Sequence, residues 1–276
     1  MAIIANIKPT EGLRAEIQDS SCQEDFYAKG AEYLGKLLGG GKQYSFNMEG
    51  INLENRTGST PFFNMALEAN LPEGRRVMTY EDMLKIYSEN KKSFNGIYSD
   101  TTSLCLRTNS PTHTPNTQIV RNLVSLVGGR NYSPENPLLI SGLEMKKDDN
   151  SQNPYGIGFV ITPRTTFVND KRLAKANHGK TINFNGVDLT VWTNSDGVSS
   201  VYADDGGLYS NLGLLALSDD YGRVAVCDAV GVALQNFGDE FEKLRETYFQ
   251  DLSRLRQQID SEIESVQSTD ICRRSK

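Results

Sequence analysis

Long apolar runs, basic excess, clustered cysteines and histidine are all scarce in this chain, and each scarcity removes a class of function. No apolar run approaches the ~20 residues that a helix needs to cross a bilayer, so no membrane insertion is expected. The N-terminus, MAIIANIKPTEGLRAE, lacks the basic start, apolar stretch and small-residue cleavage site of a secretory leader, and synthesis in the cytoplasm is expected. Lysine and arginine number 29 against 35 aspartates and glutamates, a net charge of −6; that balance leaves no basic footprint for nucleic acid. The four cysteines, Cys22, Cys105, Cys227 and Cys272, are far apart and form no CxxC pair, which argues against a zinc site and against a disulfide framework. Only two histidines exist, His113 and His178. A nucleophile–histidine arrangement would need one of them; Cys105 is near His113 in sequence, but its apolar strand setting predicts an inert inward thiol.

Other short motifs fail on spacing. GGGK at 39–42 lacks the upstream glycine and the following Ser/Thr of a phosphate-binding loop. Asp204-Asp205 and Asp219-Asp220 are hard-oxygen donors, yet adjacent strand residues point to opposite faces and no calcium-loop spacing surrounds them. No metal site and no cofactor are expected, and the chain reads as non-enzymatic.

What is present is enough apolar sequence for a full core: 276 residues, 38 % hydrophobic and 23 % charged, the balance of an ordinary globular protein. Residues 1–75 read as an irregular N-terminal region around one helix in CQEDFYAKGAEYLGKLL, stopped by Gly39-Gly40-Gly41; the following NMEGINLENRTGSTPFFN is turn-rich. Thr79 caps a helix with Asp82 three residues on, and Met83, Leu84, Ile86 and Tyr87 form its core face. A strand at 103–107 follows. Thr114-Pro115 then opens an amphipathic helix carrying Ile119, Val120, Leu123, Leu126 and Val127, ended by Gly128-Gly129. Beyond it, 138–145 and 156–162 are strand-like. Asn185-Gly186 between two alternating runs predicts a two-residue hairpin. From about Gly238 to Ser268, apolar residues at three- and four-residue steps predict a long helix. Packing on its own domain and oligomerisation through a coiled coil are both open for it.

Residues 198–228, VSSVYADDGGLYSNLGLLALSDDYGRVAVCD, are the most informative stretch. Aliphatics alternate with Asp, Gly, Tyr, Ser and Asn before a plain buried strand at 223–227. A meander with polar turns accounts for the pattern. So does a contact surface, because Tyr, Asp, Ser and Asn supply amphipathic area and adaptable hydrogen bonding.

The helix block from Leu71 to Arg107, the strand-rich body and the Gly222-Arg223-Val224 closure resemble the variable proteins of archaeal diversity-generating retroelements over about residues 75–230. The resemblance implies an α+β fold: a C-type-lectin-like domain of the formylglycine-generating-enzyme type, with two amphipathic helices and antiparallel sheets, spanning 76–230, followed here by the C-terminal helix of 231–276. In that family a reverse transcriptase introduces errors at template adenines, so that adenine-rich codons come to specify many residues on an exposed face. It implies ligand-binding positions at Ala203, Asp205, Gly207, Tyr209, Asn211, Leu212, Leu214, Leu217, Asp219 and Tyr221, with Leu208, Leu215, Gly222, Arg223 and Val224 as framework. Leu212, Leu214 and Leu217 read equally as exposed variable positions and as core. Trp192, Val191, Leu189, Val224 and Val226 are expected in the buried frame, and Tyr202, Tyr209 and Tyr221 as rigid contact area. The implied partner is an unidentified protein or cell-surface ligand. The calcium motifs of sugar-binding lectins are absent: Glu135-Asn136-Pro137 has the wrong order and Trp192-Thr193-Asn194 breaks the second. Two other readings remain: an oxidase on the related fold using Cys105 or Cys227, and an assembly protein driven by the C-terminal helix.

Overall fold

A computed structural model describes residues 15–18, 26–71, 75–111, 113–184, 186–193, 196–211, 213–228 and 256. The chain divides into two units, residues 1–229 and 230–276. In the second only Arg256 is described, so the predicted C-terminal helix and its apolar seam lie outside the described residues, as do Cys22 and Cys272.

The first unit is α+β. In chain order it runs β1 (Ala15–Gln18), α1 (Phe26–Leu38), α2 (Lys42–Asn47), α3 (Pro61–Glu68), β2 (Arg75–Val77), α4 (Tyr80–Asn90), β3 (Ser99–Leu106), α5 (Thr117–Val127) and β4 (Leu138–Ser141). There follow β5 (Glu144–Lys147), β6 (Ile157–Val160), β7 (Thr166–Asn169), β8 (Lys180–Phe184), β9 (Val187–Thr193), β10 (Val198–Asp204), β11 (Gly207–Ser210) and β12 (Val224–Asp228). Seven strands form the main sheet in the order β7-β4-β3-β10-β11-β9-β8, all antiparallel except β11 beside β9. A three-stranded sheet, β1-β12-β2, pairs the first described strand with the last described one, and β5-β6 form a separate hairpin.

Local chemistry explains the helix limits. Asp82 N donates to Thr79 Oγ1 and Thr79 N donates to the Asp82 carboxylate, a capping box that opens α4; Arg76 pairs with the same carboxylate. Gly128 closes α5 in the left-handed conformation. The start of α5 differs from expectation: Thr114–Asn116 make a 3-10 turn, and the α-helix begins at Thr117. The β8–β9 hairpin has Phe184 opposite Val187 with two residues between them; Gly186 is at φ +84°, and Asn185 lies outside the described residues.

The boundary read at residue 75 is not a boundary in the fold. Phe26, Leu34, Phe62 and Phe63 share one core with Leu104, Ile119, Ile140, Phe159 and Val226. Much of that link is α3, which the turn-rich reading of 47–64 misses. Thr60 accepts from Phe63 N, Pro61 occupies the first turn, and seven of its eight residues are buried.

Two layers sandwich β3, which is buried at every position. Leu104 and Leu106 join the main core. Ser103 and Cys105 alternate to the opposite face, where Tyr80 N at the start of α4 donates to Ser103 Oγ at 3.2 Å. The main core ends at β10: it holds Val198 but no residue of β8, β9 or β11. The sheet therefore continues beyond the helices that cover its other half.

Candidate functional site

Where the covering core stops, aromatic side chains take its place. Tyr202 on β10 lies opposite Tyr209 on β11, and Tyr209 lies beside Trp192 on β9. Residues opposite one another across strands share a face. Their rings stack: Tyr202 on Tyr209 at 4.8 Å and 9°, Tyr209 on Trp192 at 6.2 Å and 19°. Edge-on rings close both ends, Tyr98 against Tyr202 at 5.7 Å and His178 against Trp192 at 5.5 Å. Trp192, Tyr209, Tyr202 and Tyr98 are each half-buried and His178 is exposed. Such contacts contribute about 0.5–1.5 kcal/mol per pair beyond burial, so the row is ordered by its own contacts.

Tyr98 ties the row to the loop before β12. Its hydroxyl is 2.7 Å from Ser218 Oγ and accepts from Asp219 N at 3.1 Å. Its backbone N donates to Tyr221 O and its carbonyl accepts from Arg223 N. At the β10–β11 turn, Asp204 Oδ1 accepts from Gly206 N at 2.7 Å and Gly207 N at 3.2 Å. The Tyr209 hydroxyl lies near this carboxylate. Partial burial, reinforced by Asp204, pushes Tyr209 up to about 12; burial also raises Tyr98 and Tyr202, so all three phenols are neutral at physiological pH. Trp192 Nε1 has no hydrogen-bond partner among the described residues.

Of the positions implied by the resemblance, Asp205, Asp219 and Tyr221 are exposed, Tyr221 to 67 %. Leu217 is 42 % exposed, and Tyr209, Asn211 and Leu214 are half-buried. Leu212 lies outside the described residues. Leu208, Leu215, Gly222 and Val224 are buried and Arg223 is half-buried. Tyr209, Asp219 and Tyr221 are brought together through Tyr98 and Tyr202, and Asp205 sits at the turn beside Asp204.

Two positions require correction. Ala203 is 1 % exposed, because it pairs with Leu208 on the face away from Tyr202. Gly207 is buried at φ +150°, and a Cβ there would stand 2.2 Å from the Thr190 carbonyl oxygen. Neither displays a side chain. Trp192 is also corrected: it is a half-buried member of the aromatic row and not part of the buried frame. Conversely, Tyr98 and Asp204 belong to the site and the sequence reading left them out; Asp204 was weighed only as a metal ligand. The β-alternation of 187–193 already placed Trp192 opposite to Leu189 and Val191. Nothing local to Tyr98 announced a partner at Ser218.

The other chemistries gain no geometry. Cys105 and Cys227 are both buried and neither is in a disulfide; burial pushes the Cys105 thiol up despite Arg107 nearby. No group of three or more candidate metal ligands occurs among the described residues, and no described helix is long and apolar enough to cross a membrane.

Behind the row lies a buried acid. Asp100 faces Tyr202 across the β3–β10 pair, and burial pushes its carboxyl well above the ordinary 3.8, against the opposing pull of the Ser59 and Ser200 hydroxyls. A carboxyl raised on folding keeps a proton that the unfolded chain releases near pH 4. Its contribution to stability is therefore undiminished below that pH and falls as pH rises, until the folded carboxyl itself ionises. Asp100→Asn should leave stability near pH 3 unchanged and raise it at pH 7, by about 1.4 kcal/mol for each unit the carboxyl is held up. Urea unfolding across this range gives the slope directly; an Asn variant less stable at pH 7 would contradict the account.

Compared with known protein families, curated proteins and solved structures, the chain matches none.

Proposed function

We propose that the chain is a non-enzymatic ligand-binding protein on a C-type-lectin-like framework, whose outward positions between 205 and 221 are diversified by a retroelement. The observation that carries this reading is the division of labour within one segment. Asp205, Tyr209, Asn211, Leu214, Leu217, Asp219 and Tyr221 are all at least partly exposed, while Leu208, Leu215 and Val224 among them are buried. Side chains can change at exposed Asp205, Leu217, Asp219 and Tyr221 without opening a cavity, and such surface changes cost within about 0.5 kcal/mol. Pairing of β12 with β1 supports the reading further, since the segment is anchored at its end by a strand from the start of the chain. Rigid tyrosines give contact area at small entropic cost.

Two libraries of the full chain test this. Randomisation at 205, 211, 217, 219 and 221 should leave most members protease-resistant and yield binders to unrelated protein targets. Randomisation at 203, 207, 208 and 215 should leave few members folded. A first library that folds but gives no binder to any target, or a second that folds equally well, would overturn the proposal. The adjoining DNA supplies an independent check: a reverse-transcriptase gene and a near-copy of the 203–221 coding segment, differing at adenines.

A further inference from the structure

We infer that the face carried by this particular sequence takes a cationic, arginine-bearing segment of a protein. The inference rests on the binding role proposed above and names the chemistry of its partner. It begins with what the aromatic row withholds. Tyr209 stacks with Tyr202 at 4.8 Å and, offset, with Trp192 at 6.2 Å, and those two rings pack edge to face with Tyr98 and His178. Every ring of the row is thus already packed against another, and stacking of a sugar or a base would compete with these contacts. What remains for a ligand is ring edges, phenol oxygens and the carboxylates around them.

Those carboxylates lack counter-ions. Asp204 and Asp205 stand at the β10–β11 turn, next to the strands of Tyr202 and Tyr209; Asp219 and Asp220 stand in the loop tied to Tyr98. Among the described residues none of the four forms an ion pair. Asp219 accepts from Tyr221 N, Asp220 accepts from the Thr57 hydroxyl, and Asp204 accepts from the turn amides. The nearest cation in the loop, Arg223, directs Nη1 to the carbonyls of Asp220 and Gly222. The face thus sets phenol oxygens beside two acidic pairs that form no ion pair among the described residues. A guanidinium meets it best, because it offers five donors in one plane and is more weakly hydrated than an ammonium. Phosphate-bearing partners would be repelled.

The single tryptophan lies in the row, so its emission reports on this face alone. Titration of the full chain with a short alternating Gly-Arg peptide should shift Trp192 emission, and the Gly-Glu counterpart should not. Joint replacement Asp204→Asn, Asp205→Asn, Asp219→Asn and Asp220→Asn keeps the turn acceptors and should weaken Gly-Arg binding on the order of tenfold. The same charge change at exposed Glu54, Glu135, Glu144 and Asp149 should not. Equal weakening by both sets would mean attraction to net charge and would overturn the inference. Panning of a random peptide library against the wild-type chain separates the two proposals. Enriched arginine-bearing peptides lost with Tyr202→Ala support both. Enriched neutral or acidic peptides lost with Tyr202→Ala overturn the cationic partner and leave the binding role. Failure to enrich any peptide that depends on Tyr202 overturns both.

Discussion

Gly207→Val should destabilise the fold by about 3 kcal/mol or more, whereas Asp205→Val, two residues earlier, should cost within about 0.5 kcal/mol. The two positions occupy one hairpin, and both were read from the sequence as displayed. The difference is in the backbone. Gly207 is at φ +150°, and the atom a Cβ would strike is the Thr190 carbonyl oxygen of the parallel neighbour β9, at 2.2 Å. That oxygen is main chain, so no rotamer change relieves the clash; β11 must move away from β9, and with it the contact between Tyr209 and Trp192. Asp205 is exposed at the tip and its side chain makes no hydrogen bond to the described residues that would be lost. Denaturant unfolding followed by Trp192 emission reads stability and the aromatic contact together. A Gly207→Val chain with the wild-type midpoint would show that β11 is free to shift, and the framework assigned to this segment would be wrong.

The same hairpin shows what the sequence could and could not disclose. Taking every second residue from 203 to 211 assumes a continuous strand. The turn at 205–206 resets the alternation, so that Tyr202 and Tyr209 share the outer face while Ala203 and Leu208 share the inner one. Strong periodicity was legible: α1, the capped α4, α5, the β8–β9 hairpin and the strand at β12 follow from their apolar spacing, caps and turn residues. Helix α3 escapes notice because its eight residues are a short, nearly continuous apolar run, which alone does not distinguish a helix from a buried strand. Its start, Thr60-Pro61, repeats the Thr114-Pro115 signal that was taken as a helix entry elsewhere.

The site was half legible for a related reason. Composition leaves a plain meander and a contact surface both open over 198–228, and seven of the positions that the resemblance implies there are exposed or half-buried. Its partners come from other parts of the chain. Tyr98 reaches the loop through Ser218 and Asp219, more than a hundred residues away, and a pairing at that separation leaves no local trace. Trp192 is expected in the buried frame with Val191, Leu189, Val224 and Val226, because a variable segment needs its frame from elsewhere. Its alternation with Leu189 and Val191 was the better guide.

Arg107→Ala should be the most damaging change behind the face, at about 3–5 kcal/mol. Arg107 is 0 % exposed. One Nη donates to Ser199 Oγ on β10 at 2.9 Å; the other donates to Ser210 Oγ on β11 at 3.0 Å and to the Leu173 carbonyl at 3.1 Å. No ion pair among the described residues offsets the charge, and Nε is without a hydrogen bond. Three backbone segments thus converge on one guanidinium, and two of them are the strands that hold Tyr202 and Tyr209 on their opposite side. Truncation leaves a cavity and strips the Leu173 carbonyl of a donor, while Ser199 and Ser210 keep each other at 2.9 Å. Arg107→Met refills most of the volume and should recover part of the loss. Arg107→Lys should recover little, since a single ammonium on a flexible stem cannot reproduce the planar fork. If Ala, Met and Lys variants all unfold at the wild-type urea concentration, the register of β10 and β11 is held by something other than this buried cation. A graded loss with weakened Trp192 emission changes on Gly-Arg binding would instead tie the outward aromatic row to the polar cluster beneath it.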